Sequence, residues 1–186
     1  TSGMMAEAGV RQEVVGLPRS YSPSGGGLEV KMSPSLAAYL LESLDALPTP
    51  ICTCNSEAVL SYFLPNLETH QALQASGFDD IELKARLDES LNDSISALLR
   101  NQNEDGGWGW IRGSESDENI SAYVLFGLAR ARIAGFNIPD SVFESGYEYV
   151  RENMLTDVAA DRLATWELDR LTFAIFALQQ GGGFQE

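Results

Sequence analysis

Two stretches of this sequence, residues 120–133 and 171–178, are apolar nearly all the way round a helical wheel. A helix without a polar face has to be enclosed by other elements, so one layer of helices cannot bury this chain. The other helical stretches are amphipathic. Leu87, Leu91, Ile95 and Leu98 recur at helical spacing in one, and Phe143, Tyr147, Val150 and Met154 form a stripe along another. Enclosed helices inside amphipathic ones, with short connections between antiparallel neighbours, describe an all-α fold: an α/α toroid of helical hairpins.

Start and stop residues set the helix ends. Ser33 can cap and Pro34 can take the first position of "PSLAAYLLESLDAL". "SEAVLSYF" follows, then "NLETHQALQAS" after a break at Pro65, with Gly77 as its stop. Asp79 and Asp80 open the next helix, and Asp117 and Glu118 open "NISAYVLFGLARARIAG", closed by Gly135. Pro139 and Asp140 begin another, and "TWELDRLTFAIFALQQ" stops at Gly181, Gly182 and Gly183. Residues 1–32 differ. Two extended candidates, 13–15 and 28–32, are separated by Pro18, Pro23 and three glycines. Two strands cannot bury a face alone, so the expected division is a short β segment of a neighbouring domain at 1–32 and the helical domain at 33–186.

Charge and cysteines narrow the function classes. The formal charge of −15 repels phosphate backbones and anionic lipid heads, so no nucleic-acid or membrane-surface partner is expected. No run of about 18 apolar residues is present for membrane insertion, and no basic-then-apolar leader opens the sequence. Cys52 and Cys54 stand one residue apart, a spacing at which a bridge is expected to be badly strained, so no disulfide framework is expected. One histidine and two close cysteines do not furnish a tetrahedral zinc site, so neither metal nor cofactor is expected. The glycine runs lack the Lys-Ser/Thr of a phosphate loop, "GSES" at 113–116 lacks the second glycine of a nucleophile elbow, and Ser56 and Ser61 have no adjacent base. No catalytic residue emerges.

The turn "QNEDGGWGW" at 102–110 fits the Gln-x-x-x-Gly-x-Trp repeat of terpene cyclases, another family of α/α toroids. Its glycines suit a tight exit from a helix and its indoles suit packing against helix ends. A cyclase needs an acidic cluster, and the closest approach, Asp79 and Asp80, stands where a helix needs its cap. The α/α-toroid enzyme is therefore the second reading.

Three stretches carry a further resemblance: residues 1–47, "YFLPNLETHQAL" at 62–73, and "LLRNQNEDGGWGWIRGSESDENISAYVLFGLARARIAGFNIP" at 98–139. In this order they resemble the passage into, and the helices of, the thioester (complement-like) domain of bacterial alpha-2-macroglobulins. That resemblance implies an extracellular, periplasmic or cell-surface endopeptidase inhibitor that traps proteases after a bait region elsewhere is cut. It also implies a ring of about a dozen helices, of which the residues after Ser33 supply about seven at roughly 20 residues each. The ring is then incomplete, and its exposed inner helices are expected to meet the rest of the macroglobulin chain or to self-associate.

In that family a thioester joins a cysteine to a glutamine three residues later, in a Cys-x-Glu-Gln pattern. The matching stretch here is "TPICTCNSEAVLSYFLPN". With the register fixed on Phe63, Leu64, Pro65 and Asn66, Asn55 falls on the family cysteine, Glu57 on the glutamate and Ala58 on the glutamine. One inserted residue brings Cys54 to the cysteine place and Glu57 to the glutamine place. Neither register supplies the amide, and Gln71 is too far along. Cys54, Glu57 and Cys52 thus make up a degenerate thioester region, and the thioester is expected not to form. His70 finds no place in the family's acyl-transfer role and reads as a solvated or capping residue. The first reading is a protease-trapping or interaction module working without covalent capture; a purely structural cell-envelope domain is the third.

Overall fold

The computed structural model describes residues 12, 25, 50, 52–77, 81–155 and 163–181. The chain divides into two units, Thr1–Tyr39 and Leu40–Glu186, and the elements below belong to the second. The β segment over 1–32, the helix opening at Ser33 and Pro34, the caps at Asp79 and Asp80, and Gly182 and Gly183 lie outside the described residues. Among the described residues the elements are five helices: α1 Ser56–Ser76, α2 Ile81–Arg100, α3 Glu118–Ile133, α4 Asp140–Leu155 and α5 Thr165–Gln180. The fold is all-α, as the sequence pattern predicts.

The helix ends follow local chemistry. Asn55 caps α1, its side-chain oxygen accepting from the Ala58 N–H at 2.9 Å, and Gly77 closes it in the left-handed region at φ 67°. Asp117 caps α3 through the N–H groups of Asn119 (2.9 Å) and Ile120 (3.0 Å). α5 has no capping hydroxyl or carboxylate at Ala164; instead Glu167 reaches back to the Ala164 N–H at 2.8 Å.

The break expected at Pro65 does not occur: α1 runs through it. A proline inside a helix costs about 3 kcal/mol. Here Val59, Leu60, Phe63 and Leu67 lie on both sides of it, all essentially inaccessible. Burying each such side chain contributes about 1.5–3 kcal/mol, so tertiary packing outweighs the local penalty. Pro65 itself faces solvent.

α3 is the centre of the packing, touching α1, α4 and α5. Ala122, Val124, Leu125 and Leu128 are fully buried within it, so the enclosure read from 120–133 holds for most of the helix. α1 crosses it closely at Gly127, where an added Cβ would lie 2.6 Å from the Leu60 side chain. Between α1 and α3, Arg130 pairs with Glu68 at 2.6 Å; between α5 and α3, Arg170 pairs with Glu118 at 3.0 Å. These half-exposed pairs orient the helices more than they stabilise them.

The enclosure read from 171–178 does not hold among the described residues. Ala174, Ala177 and Leu178 are buried, but Ile175 and Phe176 are 45% and 44% exposed. α5 packs mainly on α3 and α4, so it buries one side and leaves the other open.

Candidate functional site

The turn that enters α1 is held in place by a second turn, between α2 and α3. The Ser56 N–H donates to the Trp110 carbonyl at 3.0 Å and the Arg112 N–H to the Cys54 carbonyl at 2.7 Å. These bonds flank an antiparallel bridge between Asn55 and Ile111. From the end of α2, buried Asn101 donates its side-chain N–H to the Thr53 carbonyl at 2.9 Å.

The second turn is itself fixed by Trp108. Its indole is fully buried, with Nε1 donating to the Leu98 carbonyl and its backbone N–H to the Ser121 hydroxyl, both at 2.8 Å. The ring lies against Gly146 of α4, and Gly106, at φ 87°, brings the backbone against Ser145. The structural role expected of the tryptophan turn is what these contacts describe. Trp110, by contrast, is half-exposed and donates to Asp117 at 3.3 Å. Gln102 ties the turn to α4 by donating to the Gly106 and Val142 carbonyls at 2.9 Å each. Nearby, burial and the carboxylates of Asp105, Glu118 and Asp117 raise the Tyr149 phenol above its ordinary range, against a hydrogen bond with Ser116 that lowers it.

Cys52 and Cys54 correct one expectation. They form a disulfide, with Cα atoms 5.1 Å apart, and no free cysteine remains. A fully extended Cys-x-Cys would hold those atoms roughly 7 Å apart. The turn at Thr53 and Cys54 shortens the span into the range of about 4.4–6.8 Å that a bridge covers. Cys52 is exposed and Cys54 half-buried, its N–H donating to the Cys52 sulfur at 3.2 Å.

Glu57 lies in the first turn of α1, accepting from the Ser61 hydroxyl at 2.6 Å. The Asn55 cap bond to Ala58 spans the two positions on which the ungapped register places the family cysteine and glutamine. His70 is also corrected: it is 4% exposed rather than solvated. Its Nε2 lies 2.9 Å from Asp88 of α2, and its ring packs on Phe136 with centroids 5.5 Å apart. Composition alone could not place it; its helical spacing from Phe63 and Leu67, at i+7 and i+3, was the available signal.

Beside the disulfide turn, a groove of about 320 Å³ runs between α1 and α2. Pro50 and Thr53 line one end, Val59, Tyr62 and Ala97 the apolar wall, and Arg86, Glu89 and Asp93 the rim. Among the described residues no cluster of three metal-ligating side chains forms, and no helix is long and apolar enough to cross a membrane.

No family model matches the sequence. Over 97 residues, 52% of this chain, it is 34% identical to the alpha-2-macroglobulin of Thermotoga maritima, of which it spans 6%. The helical fold is similar to native Escherichia coli alpha-2-macroglobulin from domain MG7 to the C-terminus: TM-score 0.56, 23% identity, 77% of this chain and 23% of that one. Salmonella alpha-2-macroglobulin reacted with methylamine gives TM-score 0.57 at 21% identity, over 79% of this chain and 10% of that one. The chain thus spans a small part of each relative.

Proposed function

From its similarity to part of alpha-2-macroglobulin, we infer that this chain is the helical, thioester-type module of a macroglobulin-like endopeptidase inhibitor in which the thioester is not made. The observation that carries the reading is the Asn55–Ala58 pair. Where the family needs a thiol and an amide three residues apart, this chain has a cap oxygen and a backbone N–H, already joined at 2.9 Å. In the alternative register, Glu57 offers a carboxylate, which a sulfur does not displace, and Cys54 has no thiol to offer.

The module serves its parent chain through shape. The open side of α5 suits packing by further helices of the same domain, and the similarity to alpha-2-macroglobulin is what supports a secreted, periplasmic or cell-surface setting. Protease capture then belongs to the whole parent protein, with this module transmitting or accommodating its rearrangement. Intact-mass measurement with and without methylamine tests the central point. The expected result is an unchanged mass, and methylamine addition within residues 52–58 overturns it.

A further inference from the structure

We propose that the Cys52–Cys54 disulfide is an exchange centre for a cysteine-bearing peptide of neutral or basic charge, seated in the groove between α1 and α2. Thiol–disulfide exchange at this turn is distinct from acyl transfer and needs no amide.

Two observations place the chemistry. The two cysteines differ in exposure: Cys52 is an exposed residue, whereas Cys54 is half-buried. They also differ in field. Cys54 immediately precedes the α1 cap, where the positive end of the helix dipole favours a thiolate. A thiolate therefore attacks Cys52 Sγ, the sulfur–sulfur bond breaks, and its electron pair leaves on Cys54, the better leaving group. One disulfide is consumed and one mixed disulfide formed, so no outside oxidant is required. Return attack by Cys54 releases the peptide and restores the starting bridge.

The groove supplies the seat. Thr53, the residue between the two sulfurs, lines it together with Val59, Tyr62 and Ala97, so an apolar side chain beside the incoming cysteine has a wall to bury against. Glu89 and Asp93 outnumber Arg86 on the rim, and the whole chain carries −15, which disfavours an acidic thiol. Asn101, Trp110 and Arg112 hold the turn through Thr53, Ser56 and Cys54, and the Asn55 N–H donates to the Cys52 carbonyl at 3.2 Å, so backbone bonds independent of the bridge tie both cysteines into the turn.

The test compares two thiols on the full chain at equal thiolate concentration: reduced glutathione, which is acidic, and a short uncharged cysteine peptide with one flanking leucine. Reactions are quenched with iodoacetamide and mapped by mass spectrometry. The peptide is expected on Cys52, the alkyl group on Cys54, and the peptide adduct to form about tenfold faster than the glutathione adduct, the gain from burying one apolar side chain. The Cys54→Ser chain, with no bridge to attack, is expected to form no adduct when oxygen is excluded. Alkylation of both cysteines in the untreated chain, an adduct placed on Cys54, equal rates for the two thiols, or an adduct on Cys54→Ser overturns the proposal. Because methylamine reads acyl chemistry and these reagents read sulfur, the two proposals fail separately.

Discussion

Trp108 owes its position to what its neighbours lack. Gly146 has no side chain, and a Cβ there would stand 2.7–2.8 Å from the six-membered ring of an indole with no accessible surface. The indole cannot retreat without losing its bond to Leu98. Gly146→Ala is therefore expected to destabilise the chain by about 1–3 kcal/mol, the cost of overpacking a filled site, read as a lower urea midpoint with unchanged slope. At this scale the tryptophan turn was legible because its glycines and indoles act locally. The fate of Cys52 and Cys54 was not. A Cys-x-Cys spacing allows or forbids a bridge according to the turn at Thr53, and nothing in the spacing specifies that turn. His70 was opaque for a similar reason: its burial is decided by Asp88 and Phe136, eighteen and more residues away in sequence.

α1 separates what a helix takes from its own residues from what it takes from its neighbours. Its Asn55 and Gly77 ends are local, and the stop at Gly77 reads directly from the sequence. Its continuity across Pro65 is not local, since a proline at that point says stop and only the burial of Val59, Leu60, Phe63 and Leu67 overrules it. Pro65→Ala, on the exposed side, removes the penalty without opening a cavity. It is expected to raise stability by about 1–3 kcal/mol, seen as a higher thermal midpoint. α5 gives the opposite lesson. Its composition announced enclosure, but the described residues cover only its Ala174, Ala177 and Leu178 side. Periodicity reveals that a face wants burial; it does not say by what.

For the whole chain, the open side of α5 is the feature with solution consequences. Phe126, Phe173 and Phe176 form a partly exposed aromatic cluster, with centroids 5.5–6.0 Å apart, and Ile175 and Trp166 are exposed on the same helix. An isolated chain with such a surface is expected to associate despite its charge. Light scattering should give a mass above that of the monomer, and Phe176→Asp should shift the distribution back toward one copy. A monodisperse wild-type monomer would count against it. The pairing of the two turns reaches further still. Asn55 is bridged to Ile111, and the Asp117 N–H, at the cap of α3, donates to the Trp108 carbonyl at 2.9 Å. A tug on the polypeptide at Cys52 is thereby delivered, through a few backbone links, to the first winding of the helix on which α1, α4 and α5 pack. Strain applied at this turn has a short wire to the helix at the centre of the packing.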